Sequence, residues 1–183
     1  MTQYAAEAAL DLNRRWLERF VIGQNLCPFA AAPYRAGRIV YKVSDACTLD
    51  GVYQDFLVTL DELFASDPRE QETALLILTG AFVSFEDYLD ALDVMQQTVA
   101  AAGLEGRVQL ASFHPDYRFA GVDADDPANF TNRSPLPMFH LIREDGLAVA
   151  LESYPEPERI PERNIRHLRS LGVQGVRALL GDD

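Results

Sequence analysis

Thr73-Ala-Leu-Leu-Ile-Leu-Thr79 carries five consecutive apolar side chains and no charge. The run is too short for a core helix and lacks the alternation of a half-buried strand. It reads as a strand covered on both faces, the kind found where helices sandwich a sheet. The flanks agree. Upstream, Val52, Phe56, Leu60 and Leu63 form a helical stripe closed by Asp67-Pro68, and Arg38 to Ser44 is a β-branched and aromatic strand. Downstream, Ser84 is an N-cap for a helix using Tyr88, Leu92, Met95 and Val99, with Gly103 at its end.

Further out, Arg107 to Phe113 is a third strand and Met138 to Arg143 a fourth. A short helix spans Leu147 to Tyr154; Pro161 starts a last long helix that Gly172 is expected to stop. At the other end, Ala9, Leu12, Trp16 and Phe20 give a first helix ending near Gly23. Helices alternating with strands predict an α/β or α+β sandwich of about four strands, mostly parallel and packed by helices. The fourth strand is open to an antiparallel placement, since no helix separates it from the third. No linker or repeat divides residues 1–183, so a single domain is expected.

The composition narrows the function classes. A formal charge of -12 and a pI near 4.6 argue against nucleic acid and anionic lipid as partners. No window reaches the apolar length of a spanning helix, and residues 1–10 lack the pattern of a secretory leader. Two cysteines in 183 residues are no disulfide framework. A cytoplasmic protein with reduced thiols is the expectation.

The long connection between the third and fourth strands holds the candidate site. His114 follows the third strand directly, the address where open α/β sheets bind ligands. Asp116 and Tyr117 come next, and Asn132-Arg133-Ser134 supplies amide, guanidinium and hydroxyl donors suited to a carboxylate or phosphate. The same residues also suit a loop tied down by side-chain-to-backbone hydrogen bonds. Arg143 ends the fourth strand and is a further anion ligand. His140, among Met138, Phe139, Leu141 and Ile142, reads as a core histidine. Cys27 lies in an irregular Pro-containing segment, where a thiol paired with His114 is a possible nucleophile and a buried thiol the plain alternative. Cys47, beside Asp45 and Asp50, is disfavoured as a thiolate. Cys27-Pro28-Phe29-Ala30 is similar to the glutaredoxin turn, but it follows a helix instead of a strand and has no second Cys three positions on. Cys27, His114, Asp116 and His140 offer zinc donors without the tight local spacing of a zinc site. No phosphate loop, dinucleotide fingerprint or nucleophile elbow is present, and the cofactor is left unknown.

Asn25-Leu-Cys-Pro-Phe-Ala30, Ala111-Ser-Phe-His-Pro-Asp-Tyr117 with Phe119-Ala-Gly121, Asn132-Arg-Ser-Pro135, His140-Leu-Ile-Arg-Glu144 and Ile160-Pro-Glu-Arg-Asn164 together resemble a bacterial family of unknown function. The resemblance covers nearly the whole chain. It implies a small cytoplasmic protein, assigns no catalytic residue, and adds Arg163 and Asn164 as site residues.

Two functional expectations follow. The first is a hydrolase or group transferase acting on a small anionic molecule. There Cys27 is nucleophile, His114 base and Asp116 its orienter, and Tyr117, Asn132, Arg133, Ser134 and Arg143 bind substrate. The second is a non-catalytic protein that binds a metal or small anion through the same loop, or a protein-interaction module.

Overall fold

The structure, a computed structural model, describes residues 5–181. The secretory-leader reading of residues 1–10 falls partly outside them. Helix α1 (Ala6–Trp16) runs directly into a π-helical segment, Leu17–Ile22. After a turn and the short α2 (Ala31–Arg35) come β1 (Ile39–Ser44), α3 (Leu49–Ala65), β2 (Thr73–Leu78), α4 (Phe85–Ala101) and β3 (Val108–Phe113). The long connection contains one 3₁₀ turn, Pro127–Thr131, and leads to β4 (Met138–Arg143), α5 (Glu144–Glu152) and α6 (Ile160–Leu180).

The strand order is β1-β2-β4-β3. Strands β1 and β2 pair in parallel, whereas β4 is antiparallel to both β2 and β3. The expected mostly parallel sheet is therefore corrected to a mixed one with a single parallel ladder. The cause is local. β1, β2 and β3 do run the same way, as helical crossovers require. The fourth strand returns without a crossover helix and slots between β2 and β3, which turns both of its ladders antiparallel.

All six residues of β2 are buried, as the uncharged run demands. Ala74, Leu76 and Leu78 pack under α3 and α4 with Phe56, Tyr88 and Met95. Leu75 and Ile77 pack on the other face with Trp16, Phe20 and Leu168 from α1, the π segment and α6. Period-2 alternation thus fills two cores from one strand. The Tyr88 hydroxyl crosses between strand ends, donating to the Met138 carbonyl (2.7 Å) and accepting from the Phe113 N–H (3.1 Å).

Ser84 caps α4 by accepting from the Asp87 N–H. α5 starts at Glu144, three residues before the expected Leu147. Gly172 interrupts the last helix as expected, taking the non-helical φ 68°, ψ 168°; a second helical segment, which was not expected, then continues α6 through Leu180. No helix among the described residues is long and apolar enough to cross a membrane.

Candidate functional site

The chain leaving β3 turns sharply at His114, which is 1% exposed. Its Nδ1 accepts from the Asp116 backbone N–H (3.0 Å), so the proton sits on Nε2 and is donated to the Phe82 carbonyl (2.9 Å). The ring packs against Phe85 and Tyr88, and burial lowers its pKa below the ordinary histidine value. Both nitrogens are occupied. His114 ties the loop after β3 to the loop after β2, where Phe82 is held at φ 57°.

The rest of the connection is hydrogen-bonded inward. Asn132 accepts the His114 N–H on its backbone oxygen and donates its amide to the Ser112 carbonyl (3.0 Å). Ser134 is buried and donates to the Leu136 carbonyl (2.6 Å). Tyr117 packs against Phe85 and Phe119. Arg133 donates from Nε to the Tyr117 carbonyl (3.0 Å) and from one terminal nitrogen to that of Ala124 (2.7 Å), with its guanidinium over the Phe130 ring. These bonds shape one wall of an open cleft of about 450 Å³, lined by the chain leaving β3 at Pro115 and Asp116 and the chain entering β4 at Ser134 and Pro135.

Four guanidinium groups line that cleft. Arg15 and Arg19 come from the first helix and its π continuation, Arg133 from the connection and Arg177 from α6 beyond its kink. Trp16, Phe20 and Phe130 supply apolar walls, and Asp116 is the single carboxylate among the lining residues. Burial lowers the Arg133 pKa, Asp116 and Asp125 oppose this, and Arg177 adds to the lowering. Among the described residues Arg15, Arg19 and Arg177 form no ion pair, whereas Arg159, Arg166 and Arg169 elsewhere on the surface are each matched to an acid. Of the residues expected at one shared site, Asp116, Arg133 and Ser134 line this cleft and His114, Tyr117 and Asn132 do not, while Arg15, Arg19 and Arg177 were not foreseen. The available signal was the basic group Arg14, Arg15 and Arg19 in an otherwise acidic chain.

Cys27 lies elsewhere. Its turn is pinned by α6: Arg163 donates to the Asn25 carbonyl (2.7 Å) and buried Asn164 to that of Leu26 (2.7 Å). Arg163 and Asn164 therefore hold the thiol's backbone. Burial pushes the Cys27 thiol above its usual pKa, against the lowering influence of the Phe29 and Ala30 N–H groups and Arg163. Cys27 faces a second, largely apolar cavity of about 210 Å³ toward the amino ends of β1 and β2, shared with Thr73, Ala111 and His140. His114 packs on the opposite face of the sheet, so the expected Cys27–His114 pair is not formed. His140, expected as a core residue, is bonded to Thr73 and packs against Phe113, and it also lines this cavity. Arg143 turns away from the arginine cleft and donates to the carbonyls of Gln71, Ser66 and Leu63. Cys27, His114, Asp116 and His140 do not converge, and the described residues contain no group of three or more His, Cys, Asp or Glu able to hold a metal.

These features define a mixed α/β protein with an arginine-lined cleft at one end of its sheet and an apolar cavity toward the other. Residues 8–178 match the family described as "Protein of unknown function (DUF1415)", and the chain belongs to that family. No curated protein and no solved structure matches it.

Proposed function

We propose that the protein binds a small anionic molecule in the arginine cleft, as a binding protein and not as a Cys/His enzyme. The carrying observation is the convergence of Arg15, Arg19, Arg133 and Arg177 on one concavity of a chain whose formal charge is -12. Like charges gathered in a concave, partly apolar site focus a positive potential, and an anion relieves their mutual repulsion. Guanidinium forks match carboxylate and phosphate oxygens, and Asp116 can accept from a hydroxyl or amine on the same ligand. The hydrolase or transferase reading has less support. His114 has no free lone pair, Cys27 lies across the sheet from it, and burial favours the protonated thiol. The cleft is concave, which suits a small molecule better than a flat protein partner. Two free cysteines fit a reducing, cytoplasmic setting.

Calorimetric titration with pyrophosphate tests the reading. Saturable binding is expected, weakening as salt rises. Arg19→Ala and Arg177→Ala should each weaken it by about tenfold, the scale of one charge-assisted hydrogen bond. Arg166→Ala should leave it unchanged, since that arginine pairs with Glu162 on the surface. Absence of binding, or equal affinity in the Arg19/Arg177 double variant, overturns the proposal.

A further inference from the structure

His140 is one of the few polar residues lining the second cavity. Thr73 donates its hydroxyl proton to the Leu141 carbonyl (2.7 Å), so the 2.5 Å contact between Thr73 Oγ1 and His140 Nε2 requires the proton on Nε2. Nδ1 of His140 is thereby left as a bare acceptor, with no hydrogen-bond partner among the described residues. Its strand neighbours in register are Leu75 and Ala111, and the small Ala111 side chain leaves room beside the ring. Most of the remaining walls are aliphatic or aromatic, including Trp16, Leu17 and Phe113, with Cys27, Glu72 and Arg143 as the exceptions.

We propose that this cavity binds an uncharged, mostly apolar small molecule bearing one hydrogen-bond donor, a phenol or compact alcohol, with the donor bonded to His140 Nδ1. The size fits. A dry cavity of roughly 150 Å³ takes a benzene ring, and this one offers about 210 Å³. The electrostatics select against charge: burial drives His140 down to about 4 and the Cys27 thiol up, so both groups favour their neutral forms at neutral pH. Of the charged residues at the edge, Glu72 pairs with Arg38, and Arg143 donates to three backbone carbonyls. On the α5 side a neighbouring surface depression shares Phe29, Pro33 and Ala150 with the cavity. α5 has no buried residue of its own. The site is independent of the arginine cleft, although Trp16 lines both.

Fluorine NMR on the full chain with 4-fluorophenol and fluorobenzene tests this, because the two probes differ by the donor. The expected result is saturable binding of 4-fluorophenol, about fivefold tighter than fluorobenzene. His140→Leu should abolish that preference. Ala111→Leu should fill the cavity and cost at least tenfold in affinity while pyrophosphate binding at the cleft persists. Ala150→Leu, on the loosely packed α5, provides the same test from the opposite wall if the strand variant does not fold. Failure of 4-fluorophenol to saturate wild type, equal affinity for the two probes, or undiminished binding in the filled variants overturns the proposal.

Discussion

Two histidines in this chain are kept neutral by burial, and only one is fully bonded. His114 spends both ring nitrogens on backbone groups, whereas His140 spends only Nε2, on the Thr73 hydroxyl. Each should make stability depend on pH in the same direction. His140 titrates near 4 in the fold and near 6.5 when unfolded. Above pH 6.5 neither state takes a proton there. As pH falls from 6.5 to 4, the unfolded chain binds a proton that the native state refuses, so stability is lost through that window. The loss at His140 is roughly 2–3 kcal/mol. Its contribution is fully present above 6.5. Urea unfolding at pH 7 and pH 4.5 measures it, and His140→Gln should shrink the difference between the two pH values by about that amount. An unchanged difference would mean that His140 is protonated as readily in the fold as out of it.

At the scale of elements, the kink of α6 controls where Arg177 points. Gly172 adopts φ 68°, ψ 168°, a conformation that costs other residues on the order of 1–3 kcal/mol. Beyond it Val176 is fully buried and Arg177 reaches the cleft. Gly172→Ala should therefore lower the thermal midpoint and also weaken pyrophosphate binding. A loss of stability with unaltered binding would separate the kink from the site. Sequence reading saw a helix stop at Gly172, because a left-handed glycine usually marks one. It had no means to see the helix resume, since that depends on Val176 finding the core. Likewise the uncharged run 73–79 and the Ser84 cap made β2 and α4 plain, being local signals. The insertion of β4 between β2 and β3 was not readable. It rests on long-range pairs such as Leu75 with His140 and on the Tyr88 hydroxyl bridging Met138 and Phe113. The same limit hid Arg15, Arg19 and Arg177. Periodicity tells which side of a helix faces out, but not that the outward faces of the first and last helices meet.

At the scale of the whole molecule, the first helix separates two environments. Its π-helical end sends Arg19 and Phe20 toward the charged cleft and Leu17 and Val21 toward the apolar cavity. A widened turn of this kind re-aims side chains within a continuous helix and recurs at functional sites. With a formal charge of -12 on the whole chain, four arginines at one cleft are a local positive exception, so the account stands on anions choosing that cleft over the other arginines. The most direct measurement is an NMR titration that follows the arginine Nε–H signals as pyrophosphate is added. The account predicts saturable shifts at Arg15, Arg19, Arg133 and Arg177, with Arg159, Arg166 and Arg169 silent because each is paired to an acid. Shifts spread evenly over all the arginines, or confined to those outside the cleft, would contradict it.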